Sequence, residues 1–394
     1  MVTRLRTPPC SDLVRWVGVL LVAAAAAAGC RGLDTSSAAP DAGTDISLTE
    51  DAVVEEEDAQ DVAEGVDWEE MLPINGVLLA ARVRGDIPSL PLLLVLHGGP
   101  GFAMLDLLHT HSPELEADFL VVTYDQRGAG LSYAEDLDSG AMTLAQFVDD
   151  AHAVRQAVLD HFGRADDTDV YVLGHSMGTV IGLDLVKNHP ASYAAYIGVG
   201  QVVTTAQNEQ GSYDFALEQA QQVGNQDAID ELECVGRPTD DFAYEGLGAP
   251  DCPADLDGFA VTNTWIGFFG GDVYGETGTE AIEAEILESP AYAGHEDKWS
   301  DGSAFSAHLF DDPAVAAWDA RILHNDDTVP LFFFMGRHDY DTPAPLAAEY
   351  SAGINGPHRL VWFEESAHFP FYEESALFRE RLVAVAHGEL LADE

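Results

Sequence analysis

The sequence predicts an α/β protein, with a mostly parallel sheet flanked by helices and a helical cap inserted late in the chain. Three observations carry that expectation. Short runs of strand length alternate with segments whose apolar residues recur at helical spacing. Several of those runs are apolar throughout, as a strand buried on both faces requires. The alternation stops once, between about residues 204 and 326, and then resumes.

Before the first strand lie two segments of a different kind. Arg4, Arg6 and Arg15 precede an uncharged, mostly apolar run from Trp16 to Ala28, which is short for a membrane-spanning helix. Residues 1–29 therefore read as an export signal. The ending Ala27-Ala28-Gly29-Cys30 resembles the lipobox of bacterial lipoproteins, which implies lipidation of Cys30 and a cell-envelope location. Ordinary cleavage, giving a secreted protein, is the alternative. Residues 30–65 are rich in Asp, Glu, Ala, Ser and Thr and hold no aromatic residue. Such a stretch cannot bury enough apolar surface to offset its ordering entropy, so it reads as an acidic tether.

The folded part is expected over 66–203 and 327–394, with 204–326 as the cap. Gly76 to Val83 is strand-like, Leu92–Leu96 is a buried apolar strand, and Phe119–Tyr124 is another. Leu144, Phe147, Val148, Ala151, Val154, Val158 and Phe162 form the stripe of an amphipathic helix. Val170–Leu173 then leads into Gly174-His175-Ser176-Met177-Gly178, and Val180, Ile181, Leu183 and Leu185 follow at helical spacing. Tyr193–Val199, Leu331–Met335 and Leu360–Phe363 complete the strands, and a helix from about Glu374 to Leu391 closes the chain. The cap opens with an Ala/Glu/Gln-rich helical segment near Phe215–Gln222 and holds Cys234 and Cys252. In an exporting context this even pair reads as a disulfide.

Charge restricts the partners. The chain has 394 residues with 17 Lys+Arg against 69 Asp+Glu, a formal net charge of −52. That surface repels nucleic acid and anionic membrane, so a small-molecule or peptide substrate is expected, with membrane contact only through a lipid anchor.

The chemistry-bearing motifs fall where strands end. A strand that becomes a helix within two residues lifts its turning residue clear of the sheet, which makes Ser176 the candidate nucleophile. His97-Gly98-Gly99-Pro100-Gly101 follows Leu92–Leu96, and its glycines let backbone N–H groups approach a substrate oxygen. The N–H groups of Gly99 and Met177 are the candidate oxyanion hole. Gly336-Arg337-His338-Asp339 follows Leu331–Met335, and Ser366-Ala367-His368-Phe369-Pro370 follows Leu360–Phe363. Ser176, Asp339 and His368 thus occur in the order Ser…Asp…His. Serine needs a base to take its proton, which His368 would do, and a carboxylate must hold the imidazole tautomer. Asp339 and Asp341 both stand where that carboxylate is needed.

His97–Gly101, Asp125-Gln126-Arg127-Gly128-Ala129-Gly130 and Gly336–Asp339 with Thr342-Pro343 resemble the proline iminopeptidase branch of the α/β-hydrolases, over residues 76–203 and 327–390. The resemblance implies an α/β-hydrolase fold, a helical cap, Gly99 as an oxyanion donor and Asp339, not Asp341, as the triad acid. It also implies hydrolysis without metal or cofactor, and the triad chemistry makes an acyl-enzyme the expected route. His175 and Met177 stand where that branch has Gly and Trp, and residues 204–326 lack its Trp-x-x-Trp-Glu segment. An amine-binding carboxylate would have to come from other acidic cap residues, such as Glu209, Glu218 or Glu231. The expected activity is aminopeptidase-like cleavage of a small amide or ester. A carboxylesterase is the first alternative, and a non-catalytic surface binding lipoprotein the second.

Overall fold

In the computed structural model the residues described are 65–244, 246, 252–253, 256–324 and 328–390. The export segment, Cys30 and the acidic stretch before residue 65 lie outside them. Among the described residues, eight strands form one sheet: β1 (Val66–Ile74), β2 (Val77–Gly85), β3 (Leu92–Leu96), β4 (Leu120–Tyr124), β5 (Val170–His175), β6 (Ala195–Val199), β7 (Leu331–Gly336) and β8 (His358–Phe363). Their order is β1-β2-β4-β3-β5-β6-β7-β8. β1 and β2 are antiparallel, β2 meets β4 antiparallel, and β4 through β8 run parallel.

The apolar strands divide residue by residue between two cores, because successive side chains of a strand face opposite ways. Leu92, Leu94 and Leu96 join Val170, Val172, Leu331, Phe333 and Met335 on one face. Leu93 and Val95 join Tyr171, Leu173, Phe332 and Phe334 on the other. Helices α1 (Leu144–His161) and α2 (Met177–Asn188) cover the first face. Thr143 caps α1, its hydroxyl accepting from the Gln146 N–H at 3.3 Å.

β1 was not foreseen from the sequence. Its side chains are mostly exposed and include Glu69 and Glu70, so it carries little apolar signal. It pairs with β2 from Val66↔Gly85 to Ile74↔Val77 around Asn75-Gly76, whose φ values are 45° and 85°. Asn-Gly with two positive φ values is the usual two-residue hairpin turn. The closing helix is shorter than expected. The last helix ends at Ala386, because Gly388 turns left-handed with φ 71°.

Between β6 and β7 the chain is helical. α3 (Thr205–Val223), α4 (Gln226–Val235) and α5 (Gly258–Phe268) share a small apolar core of Tyr213, Ala216, Ala220, Leu232, Val261, Trp265 and Ile266. Cys234 and Cys252 are joined, with Cα atoms 5.5 Å apart, linking the end of α4 to the segment before α5. α6 (Glu280–Glu288) and α7 (Glu296–Ser306) follow. The segment around α7 is fastened to the loops after β3 and β4. The Tyr292 hydroxyl donates to Asp125 Oδ1 at 2.5 Å and accepts from the Leu105 N–H at 3.1 Å. Trp299 Nε1 donates to the Ala103 carbonyl at 2.9 Å, and Lys298 Nζ to the Leu131 carbonyl at 2.6 Å. Burial raises the Asp125 carboxyl to about 7 despite the Tyr292 bond.

Candidate active site

Ser176 sits at the junction of β5 and α2, with φ 53° and ψ −123°. A non-glycine residue in that conformation costs roughly 1–3 kcal/mol and must be held by its surroundings. The Ser176 N–H donates to the Val199 carbonyl at 2.9 Å, and its own carbonyl accepts from the Thr179 N–H at 2.8 Å and the Thr179 hydroxyl at 2.6 Å. Close passage of strand and helix explains the flanking glycines. A Cβ on Gly178 would collide with the Leu96 carbonyl and lie 2.8 Å from the His97 carbonyl oxygen. Ser176 itself is partly exposed, on an otherwise buried strand–helix junction.

The loops after β7 and β8 bring an acid and a histidine together. His368 Nδ1 lies 2.9 Å from Asp339 Oδ2, and both side chains are buried. Asp339 also accepts from the Thr342 N–H and the Thr342 hydroxyl, each at 2.8 Å. Gly336 is the seam between the two loops, because a Cβ there would collide with the Ala367 carbonyl. A Cβ on Gly200 would stand 2.6 Å from the His368 ring. The other ring nitrogen, Nε2, makes no hydrogen bond to any described residue, Ser176 included. It lies 3.1 Å from Asp341 Oδ2, within ion-pair range. Of the two carboxylates the sequence offered, Asp339 therefore takes the orienting nitrogen and Asp341 the nitrogen that should face serine. Burial alone would lower His368, but the Asp339 and Asp341 carboxylates outweigh it and push the imidazole up to about 9.

The turn after β3 packs directly on the elbow. A Cβ on Gly98 would lie 2.7 Å from Ser176 Cβ, and Gly99 has φ 108°. Its shape is fixed from beneath by His97. The Gln126 N–H donates to His97 Nε2 at 3.0 Å, so His97 Nδ1 carries the proton and donates to the Gly98 carbonyl at 2.9 Å. Burial lowers His97 to about 4, which keeps it neutral. Among the described residues, neither the Gly99 N–H nor the Met177 N–H donates to a protein acceptor.

Carboxylates crowd the histidine from several directions. The Asp341 side chain is 35% exposed, and its carbonyl accepts from the Ser212 hydroxyl of α3 at 3.1 Å. Asp272, between α5 and α6, gives its carbonyl to the His368 N–H at 2.9 Å, and burial raises its carboxyl to about 7. Glu209 of α3 is buried and accepts from the Tyr244 hydroxyl, which also bonds Thr262 Oγ1 at 2.9 Å. Burial raises Glu209 to about 8, and the Asp341 charge adds to the rise. Asp272 escaped the sequence reading, because no motif marks it in a segment full of acidic residues.

A family model described as alpha/beta hydrolase fold matches residues 91–375, from just before β3 through the histidine loop. The chain belongs to the α/β-hydrolase fold family. Hydrolysis is the chemistry that this membership assigns to it. Among curated relatives, a probable aminopeptidase, YbaC of Bacillus subtilis, is 31% identical over 328 residues, covering 82% of this chain and 94% of the relative. A proline iminopeptidase of Heyndrickxia coagulans is 25% identical over 289 residues, 72% of this chain and 85% of the relative. Among solved structures, the esterase RhEst1 of Rhodococcus sp. superposes with a TM-score of 0.53 at 17% identity, over 83% of this chain and 99% of that one, which is likeness of fold. The α/β-hydrolase sheet thus carries Ser176, Asp339 and His368 on the loops after β5, β7 and β8.

Proposed function

We propose that the protein is a serine hydrolase with aminopeptidase-like activity. Ser176 Oγ would attack the substrate carbonyl carbon while its proton passes to His368 Nε2. The Gly99 and Met177 N–H groups would hold the oxyanion, and the proton would then pass to the departing amine. Water would release the acyl group by the same steps in reverse roles. Asp339 would fix the imidazole through Nδ1. The observation that carries the aminopeptidase reading is the partly exposed Asp341 carboxylate, 3.1 Å from His368 Nε2. A protonated α-amine beside the scissile bond matches that charge, and the aminopeptidase-named relative spans most of the chain.

A carboxylesterase is the second reading, favoured by His175 and Met177 around the nucleophile. Fluorophosphonate labelling, with Ser176→Ala as control, tests the nucleophile. Absence of labelling in the folded wild type would refute it. Aminoacyl arylamides compared with N-acetylated analogues and acyl esters separate the two readings, and a strict need for the free amine is expected. The apolar run Trp16–Ala28 and Ala27-Ala28-Gly29-Cys30 support export and lipidation at Cys30, which fatty-acid labelling with Cys30→Ser as control would test.

A further inference from the structure

Asp341 transfers no proton in the reaction just described, yet its carboxylate stands 3.1 Å from the one nitrogen that must receive the serine proton. The geometry points to Asp341 as a specificity gate, whose carboxylate blocks His368 Nε2 until a cationic group on the substrate draws it away. This inference rests on His368 being the base for Ser176.

Two independent observations meet here. The first is that His368, 1% exposed, has its Nε2 buried and without a hydrogen bond to Ser176, and the carboxylate of Asp341 stands beside it instead. The second is that the Asp341 backbone is hydrogen-bonded at both its N–H and its carbonyl, while its carboxylate pairs with His368. Its N–H donates to the Gly271 carbonyl at 3.3 Å and its carbonyl accepts from Ser212. Side-chain rotation can therefore break that pair without moving the backbone, toward the side on which a third of the side chain is already exposed.

The consequence for the base follows from charge. The ring lies between Asp339 and Asp341, with Asp272 behind it and Glu209 facing Asp341. Glu373 accepts from the Ala367 and Phe369 N–H groups on either side of it. The one other titratable ring against it, His175, is kept neutral by burial. Two flanking carboxylates favour the ring with a proton on each nitrogen, and such a ring has no lone pair to offer. A substrate ammonium that pairs with Asp341 removes one of those carboxylates. The Nε2 proton then leaves to water, and the neutral ring can accept the Ser176 proton. A neutral ester leaves Asp341 in place and meets a protonated base.

Asp341→Asn tests this, because it keeps the shape and removes the charge. The expected result is a rise of about tenfold or more in kcat/KM for a short acyl nitrophenyl ester at pH 7. The lower pH limb for that ester should move from near 9 toward the ordinary histidine value of about 6.5. For an alanyl arylamide, kcat/KM should fall by about tenfold in the same variant, reversing the preference. An equal loss on both substrates, with the limb unmoved, would overturn the gate. Should the variant fail to fold, the wild type decides: the kcat limb for the free-amine substrate must lie below that for the ester, and coincidence of the two refutes the proposal. Labelling of Ser176 by a fluorophosphonate above about pH 9, where His368 is neutral with or without the gate, separates failure of the gate from failure of the hydrolase reading.

Discussion

Asp339→Asn is the substitution that most directly probes the arrangement around His368. Asp339 is fully buried and accepts three hydrogen bonds, two from Thr342 and one from His368 Nδ1. The Thr342 N–H, at 2.8 Å from Oδ1, can only donate, so the asparagine must keep its oxygen there. That forces its NH2 group into the place of Oδ2, facing His368 Nδ1. The imidazole must then accept at Nδ1 and carry its proton on Nε2, which is the wrong tautomer for taking a proton from Ser176. The same change in a Ser-His-Asp site lowers kcat by about ten-thousand-fold, roughly 5.5 kcal/mol at about 1.4 kcal/mol per tenfold. Fold should survive, because Thr342 keeps both contacts, and a thermal melt checks this. The assay is hydrolysis of the best arylamide from the substrate panel, together with the rate of fluorophosphonate labelling. Activity within tenfold of wild type in a folded variant would refute the assignment of Asp339.

Other outcomes follow from named contacts. Stability should fall as the pH rises from about 6.5, above which the buried neutral His97 and His175 no longer oppose the trend, to 9. Asp125, Asp272 and Glu209 are raised to about 7, 7 and 8, and His368 to about 9, so each contributes stability below its unfolded value that is lost as pH climbs through its folded one. Urea midpoints at those two pH values test it, and a higher midpoint at pH 9 would contradict the shifts. Tyr292→Phe should destabilise by about 3 kcal/mol, since it strips Asp125 of a donor and leaves the Leu105 N–H buried and unpaired. The loss should be greater above pH 7, where Asp125 is ionised, and equal losses at pH 5 and pH 8 would count against it. Gly178→Ala should unseat the elbow, because its Cβ meets only backbone, and both urea stability and labelling of Ser176 should drop. Unchanged labelling would show that the helix can shift without moving the nucleophile.

The central strands were legible because burial on both faces leaves an apolar signature that no other element shares. Leu92–Leu96 and Leu331–Gly336 are the clearest cases. β1 was hidden, since a strand at the sheet edge can leave most of its side chains in solvent and still pair fully, and Asp67, Glu69 and Glu70 interrupt its apolar pattern. Motif spacing brought Asp339 and His368 to neighbouring loops. It could not say which nitrogen each of Asp339 and Asp341 would meet, because two residues of separation on a turn leave side-chain direction undetermined. Asp272 was harder still, and Glu209 was offered only as one of several cap acids beside Glu218 and Glu231. Their neighbours come from distant parts of the chain, and among 69 acidic residues composition singles out none.

The bond from Lys298 to the Leu131 carbonyl has a practical use. The chain contains two lysines, Lys187 and Lys298, and the second lies on α7, where that helix meets the loop after β4. An ammonium engaged at 2.6 Å is a poor nucleophile toward acylating dyes until the contact opens. The rate at which Lys298 acquires a tag, read by peptide mass, therefore serves as a built-in clock for the lifting of α7. It requires no introduced cysteine or fluorophore, and substrates that hold α7 down would slow it.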